Sequence, residues 1–235
     1  MNKKTDQKLI LSYINNFQPP NINRHNVIAF LLIGVDILGV IPIISEPFSP
    51  IFFWFSIIPI IFVHLWGIIY ILAPYKHEKS YYLYFGILAI VNTYVYFIVI
   101  QKLLYIHIGV QGSFYFVIGV LLWIGLLLFF QLFHLKMLYS GRLAKGQKKG
   151  SLAINTNPII IASSSGYVLA QFVMSLKAIN NIVEISIIIS LSLLSLITAY
   201  FSIFIHKYFF IQKHLETIKK HNPSFGLPKK LRKDA

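Results

Sequence analysis

The chain has 235 residues, of which 57 % are hydrophobic and only 12 % are charged, and it contains no cysteine. A soluble domain carries about 25 % charged residues, so this composition excludes an ordinary soluble protein, and the lack of cysteine excludes disulfides, thiolate nucleophiles and cysteine-ligated zinc. The formal net charge of +14 would suit nucleic acid. However, the basic residues lie beside hydrophobic runs, which favours anionic lipid headgroups as their partner and predicts no nucleic-acid binding.

Six continuous hydrophobic runs predict an all-α integral membrane protein with six transmembrane helices. Runs of about 20 apolar residues can cross the hydrocarbon core of a bilayer as helices, and continuous rather than alternating runs exclude a membrane barrel. The six spans form one domain over residues 27–205. The predicted bounds are Val27–Ile44, Ile51–Ala73, Tyr81–Ile100, Phe114–Leu135, Pro158–Leu176 and Ile182–Ile205.

The distribution of basic residues predicts how the chain threads through the membrane. Of the 21 Lys and Arg residues, 19 fall in segments that six spans leave on one side, and only Lys102 and Lys177 fall on the other. Because basic segments are retained in the cytoplasm, both termini are predicted to be cytoplasmic. An odd number of spans would separate the two basic terminal segments, so the charges also favour six.

The segments that flank the spans are predicted to lie at the inner membrane surface. Within residues 1–26, the run Thr5–Phe17 has apolar residues at helical spacing, which is typical of an amphipathic helix in the headgroup layer. The proline-containing run Gln18–Asn23 is expected to break this amphipathic helix before the first span. In the basic cytoplasmic tail, residues 206–235, an apolar stripe continues the sixth helix, and disorder is expected beyond Pro223.

Polar residues inside the spans are the candidate functional site, because a charged group at the bilayer centre costs about 2.5–3.5 kcal/mol. Asp36 and His64 each lie about 13 Å from the predicted inner end of their span, at 1.5 Å per residue. The first two spans are consecutive and antiparallel, so Asp36 and His64 are expected to meet. Asn92 and Thr93 fall at a similar depth in the third span and complete a polar layer near the midplane.

Two interpretations of this layer remain open. As a protonatable pair, Asp36 and His64 would serve transport or a proton pathway. As a hydrogen-bonded clamp, they would hold the first three spans together, which is the interpretation that we favour. Pro59, in the second span, removes a backbone donor and is expected to leave a carbonyl near Phe55 free of its helical partner.

Small polar residues in the fifth span are secondary candidates. They are the patch Ser163, Ser164 and Ser165, with Gln171 further along the same span. Small residues four apart recur in the sixth span, and this spacing allows helices to approach closely. Packing of these two spans is therefore the expected role of the patch, and a cavity lined by the fifth span is the alternative.

No catalytic pattern is found along the chain. A zinc-protease His-Glu-x-x-His run, a phosphate-binding glycine loop and adjacent acidic residues are all absent from the sequence, so we expect no enzyme activity, no cofactor and no metal site. The favoured function is a non-enzymatic accessory, immunity or assembly factor. It would act in a cytoplasmic membrane, for which the composition suggests a bacterial origin, through a membrane-protein partner or self-association. The alternative is a small transporter or permease subunit that uses the Asp36–His64 layer.

Overall fold

The computed structural model describes residues 17–140 and 181–232, and every regular element in these two ranges is helical. Five stretches are long and apolar enough to cross a membrane, and the last of them, Ile182–Lys213, comprises two consecutive helices. The bounds are Pro20–Ile44 (α1), Pro50–Leu72 (α2), Glu78–His107 (α3), Phe114–Tyr139 (α4), Ile182–Phe201 (α5), Phe204–Lys213 (α6) and Leu215–His221 (α7), followed by a short 3-10 helix, Lys229–Leu231.

Five of the predicted spans are confirmed as apolar helices, with differences at their ends. Residues 17–19 are non-helical, and α1 begins at Pro20, inside the run Gln18–Asn23 and before the predicted start of the first span at Val27. Proline is tolerated in the first helical turn, because the N–H that it lacks would have no helical partner there. The predicted fifth span, Pro158–Leu176, and the amphipathic run Thr5–Phe17, apart from Phe17, lie outside the described residues.

The helix α3 is the centre of the bundle. In its most apolar window 72 % of the residues are buried, against 33 % or less in each of the other four candidate spans. The helices α1, α2, α4 and α5 all pack against it, and α1 also packs against α2 and α4 against α5. We call the end of the bundle that contains Pro20, Glu78 and Tyr139 the proximal end, and the end that contains Ile44 and Phe114 the distal end.

The helices α4 and α5 run in the same direction. Near the proximal end, Gln131 Nε2 of α4 donates to Ser202 Oγ, just beyond α5, across 3.1 Å. Further toward the distal end, Trp123 of α4 and Ser192 of α5 line the same cleft. Residue numbers therefore rise together along the two helices, so α4 ends at the proximal end of the bundle and α5 begins at the distal end.

Part of α1 departs from the α-helical hydrogen-bond pattern. Over Phe30–Val40 the backbone is a π-helix, at whose end the N–H of Ile41 donates to the carbonyl of Asp36, five residues back. A Cβ atom added to Gly34 or to Gly39 would lie only 2.5 Å from a side-chain atom of α3. Bonds that span five residues bring these two glycines to the same side of α1. The π-helix thus lets α1 lie close to α3, and Asp36, between the two glycines in sequence, contacts α2 instead.

The C-terminal tail folds back onto the proximal end of α3. Disorder was expected beyond Pro223, and this expectation was wrong for the residues up to Arg232. Phe225 is only 1 % exposed and stacks on Phe17 with ring centroids 4.6 Å apart. Glu78 forms a salt bridge with Arg232. The basic composition of the tail suggested disorder, but its few apolar and charged anchors find partners that are distant in the sequence.

Candidate functional site on the α1–α2 flank

Asp36 and His64 meet between α1 and α2. Nε2 of His64 lies 3.0 Å from Oδ1 of Asp36. Asp36 comes from the π-helical part of α1, and His64 lies one turn after Ile60 on α2. Asp36 and His64, which were predicted to meet from their equal depth in the two spans, are therefore in direct contact.

The second ring nitrogen of His64 is also engaged. Nδ1 lies 2.9 Å from the carbonyl oxygen of Ile60, and a carbonyl can only accept, so Nδ1 is the donor of this contact. Both ring nitrogens of His64 therefore have partners within the chain, one on α2 and one on α1.

This pair lies on the flank of the bundle rather than in its interior. The side chain of Asp36 is 40 % exposed and that of His64 is 33 % exposed. Neither residue lines the three main cavities of the described chain. Within the described ranges, the other carboxyl oxygen of Asp36 accepts no hydrogen bond. The site therefore presents an open acceptor to its surroundings.

The surface around the pair is apolar. Large exposed side chains lie within one helical turn of Asp36 on α1 and of His64 on α2; they are Ile33, Ile37, Ile61, Leu65 and Ile68. We call this surface, with Asp36 and His64, the α1–α2 flank. The flank is thus an apolar surface on which a helix could pack, with one polar pair that could fix the position of that helix.

Asn92 and Thr93, the two residues of the predicted layer that lie on α3, contact different neighbours. Thr93 Oγ1 lies 3.0 Å from Thr198 Oγ1 of α5. Asn92 is fully buried and lies against Gly34, and its amide atoms have no hydrogen-bond partner among the described residues. The predicted layer is therefore divided among an α1–α2 pair, an α3–α5 pair and an amide that lies between α3 and α1.

The predicted effect of Pro59 is found in the structure. Its missing N–H leaves the carbonyl of Phe55 without the usual partner one turn ahead. The hydroxyl of Tyr94 on α3 donates to this carbonyl across 3.1 Å. A defect in the hydrogen bonding of α2 is thus compensated by the central helix.

Lys102 is a structural residue that the sequence interpretation missed, because it counted only as an exception to the charge distribution. It is 1 % exposed, and its ammonium donates to the carbonyls of Pro42, Ile43 and Ser45 across 2.9, 3.0 and 2.6 Å. The last carbonyls of a helix have no helical partner and carry partial negative charge. Lys102 therefore caps α1. The predicted topology placed Lys102 and the end of the first span on the same side, which is the signal that was available.

Glu78 and Arg232 form a second buried contact, at the proximal end. Their side chains are 4–5 % exposed. The carboxylate of Glu78 also accepts the N–H of Gly226 across 2.6 Å, and the guanidinium of Arg232 lies 5.0 Å from the centroid of the Tyr75 ring. Glu78 and Arg232 are 154 residues apart, and no spacing in the sequence links them. The contact ties the tail to the start of α3.

No group of three or more potential metal ligands occurs in residues 17–140 and 181–232. The secondary candidates Ser163, Ser164, Ser165 and Gln171 lie outside these ranges. The chain matches no family model, no curated protein and no solved structure.

Proposed function

We propose that this chain is a non-enzymatic accessory, immunity or assembly factor of a cytoplasmic membrane that packs its α1–α2 flank against a transmembrane helix of a partner protein. The observation that carries the proposal is the half-exposed Asp36–His64 pair on an otherwise apolar surface. A charge facing lipid costs several kilocalories per mole, about 2.5–3.5 on insertion scales. A helix that covers the pair removes much of that cost.

The open oxygen of Asp36 defines the chemistry of the partner. An acceptor at this depth is matched by a helix that carries a hydrogen-bond donor, such as an amide, hydroxyl or ammonium group. Both ring nitrogens of His64 are already engaged, with Ile60 and with Asp36. A second copy that docked through the same flank would therefore bring no free donor from His64, which favours a different protein as the partner. The π-helix around Asp36 also supports a functional role, because such segments are frequent at functional sites.

The parallel course of α4 and α5 supports the six-span topology within this proposal. The end of α4 and the start of α5 lie at opposite ends of the bundle, and the predicted span Pro158–Leu176 would supply the crossing between them. With six spans, the basic segments and both termini lie in the cytoplasm beside anionic headgroups, with Thr5–Phe17 at the inner surface. An impermeant thiol reagent on intact cells is expected to label a cysteine at position 49 but not one at position 151; the reverse pattern contradicts this orientation.

Photo-crosslinking in native membranes tests the partner proposal. A photoreactive residue at Ile37, beside Asp36, is expected to give one adduct with a membrane protein. The same residue at Ile124 is a matched control, because Ile124 is similarly exposed on α4; it should not give this adduct. Asp36→Leu removes the acceptor and should abolish the adduct, whereas Asp36→Asn keeps an acceptor and should retain it. The identified partner should then lose crosslinking when its donor residue is changed to leucine.

Three results would contradict the partner proposal. They are adducts with lipid alone, an adduct with a second copy of the chain alone, and an adduct that Asp36→Leu leaves unchanged. Each would mean that the acceptor on the flank does not select a different protein.

The contact between Asp36 and His64 favours transport as a second candidate function. An intramembrane carboxyl group bonded to an imidazole is the kind of pair that proton pathways use. Purified protein in liposomes with an entrapped pH dye would then show proton flux that Asp36→Asn abolishes. Because Asp36→Asn should retain the partner adduct, this one variant distinguishes the two functions.

A further inference from the structure

A second candidate site lies at the proximal end of the bundle, where the tail meets the start of α3. Lys79, in the first turn of α3, packs its stem on the tail, since a Cβ atom added to Gly226 would lie 2.5 Å from its Cε. Nζ of Lys229 and the guanidinium of Arg232 lie 5.9 and 5.0 Å from the centroid of the Tyr75 ring. The docked tail therefore gathers cations that are far apart in the sequence.

The positive charge of this cluster is balanced only in part. The carboxylate of Glu78 bonds to Arg232. Within the described ranges, the ammonium groups of Lys79 and Lys229 form no hydrogen bond or ion pair. Lys229 and Arg232 both lie on the Tyr75 ring, at distances below the roughly 8 Å over which physiological salt screens charge, so the two cations repel each other. Three cations thus share one carboxylate, and their repulsion weakens the docked tail.

The rest of the sequence does not supply the missing negative charge. The whole chain has seven acidic residues against 21 Lys and Arg. The residues outside the described ranges hold two acidic residues, Asp6 and Asp234, and nine basic ones: three in residues 1–16, five in 141–180 and one in 233–235. Together these segments add more positive charge than negative. The proximal end of the bundle therefore needs counter-ions from outside the chain.

The position of the cluster indicates which counter-ion is at hand. The apolar helix α2 ends at Leu72, which is 78 % exposed, and Tyr75 and Lys79 follow within two helical turns. The headgroup layer extends roughly 5–8 Å beyond the hydrocarbon core on each side of a bilayer, and tyrosine is enriched at this boundary. In a membrane that α2 spans, the cluster therefore lies at the level of the lipid phosphates.

We propose that the docked tail and the start of α3 together form a binding site for the headgroup of an anionic phospholipid, whose phosphate is bonded by Lys79 and Lys229. This inference goes beyond the proposed function and does not depend on the α1–α2 flank. The phosphate relieves the repulsion among the cations, so lipid binding and docking of the tail stabilise each other. An anionic membrane should therefore favour the docked tail.

Mass spectrometry of the intact full chain, released from detergent micelles with its bound lipids, tests the proposal. The chain is titrated with phosphatidylglycerol, and with zwitterionic phosphatidylcholine as the reference lipid. We expect phosphatidylglycerol to bind more tightly than phosphatidylcholine, and inorganic phosphate at millimolar concentration not to displace it. Equal binding of the two lipids would overturn the proposal. Displacement by inorganic phosphate would also overturn it, because the site would then take the free anion rather than a headgroup.

Lys229→Gln and Lys230→Gln form a matched pair of variants. Each removes one charge from an exposed position of the tail, but of the two, Lys229 is the one that lies on the Tyr75 ring. Lys229→Gln is expected to weaken phosphatidylglycerol binding about fivefold, the effect of losing one cation beside a headgroup. Lys230→Gln should leave the binding nearly unchanged. Equal effects of the two variants would overturn the proposal, because they would show attraction to the net charge of the tail.

Glu78→Ala distinguishes a site formed by the docked tail from general attraction to positive charge. The substitution removes the bonds of Glu78 to Gly226 and Arg232 and is expected to release the tail together with Lys229. Phosphatidylglycerol binding should then fall about fivefold, as for Lys229→Gln. The same substitution makes the chain more positive by one charge, so attraction to net charge alone would strengthen binding. Unchanged or tighter binding by Glu78→Ala would overturn the proposal.

Discussion

Charged groups are held in opposite ways along the central helix and on the flank of the bundle. Glu78 and Lys102, near the two ends of the α-helical part of α3, are buried and bonded by groups of the same chain. Asp36 and His64 are half exposed, and an oxygen of Asp36 is left open. The charges of α3 therefore stabilise the fold, whereas the pair on the flank is accessible to a group outside the bundle.

The same difference predicts unequal costs of removing each charge. Hydrogen bonds to a charged group contribute about 1.5–3 kcal/mol each, and a buried partner left behind adds its own desolvation cost. Neutralising Asp36 to asparagine should cost less, because the amide keeps the bond to His64 and leaves no fully buried partner unbonded. Neutralising substitutions in the two regions therefore test the comparison directly.

The largest effect is expected for Lys102→Met, which keeps the apolar stem and removes the ammonium. Three carbonyls at the end of α1 would lose their donor, so the free energy of unfolding should fall by about 3 kcal/mol or more. Denaturant titration of the purified protein in detergent, followed by circular dichroism, measures this change. The matched control is Lys230→Met at an exposed position of the tail, which should change stability little. Equal effects of the two variants would show that Lys102 does not cap α1.

A smaller effect on stability is expected for Asp36→Asn. The amide can still donate to Nε2 of His64, so the same denaturant titration should show a loss of about 1 kcal/mol or less. A loss as large as that of Lys102→Met would identify the pair as a clamp between α1 and α2. That result would remove the contrast between flank and centre and would support the structural interpretation of the pair.

Several features of this fold follow from local properties of the sequence. Continuous apolar runs predict five described helices, because a helix that crosses a bilayer needs only length and hydrophobicity. The equal depth of Asp36 and His64 in two consecutive antiparallel runs was enough to predict that they meet. The free carbonyl of Phe55 follows from Pro59 alone, although the sequence did not indicate that Tyr94 would bond to it.

Other features depend on contacts that no local pattern encodes. The small residues at spacing four drew attention to close helix packing, but α1 uses Gly34 and Gly39, five residues apart, through its π-helix. The residues of the layer predicted from depth have different partners, because the rotation of α3 about its axis directs Thr93 toward Thr198. Depth gives the height of a residue in the membrane but not the direction in which its side chain points.

By itself, the sequence determined the all-helical class, the position of the long helices and the proximity of Asp36 to His64, because hydrophobicity, helix rise and chain direction are properties of neighbouring residues. Only the tertiary structure decided that the pair lies on the flank with an open oxygen, that Lys102 caps α1, and that Glu78 holds the tail. These features depend on how each helix is rotated and which distant segment it meets, and a one-dimensional pattern contains neither.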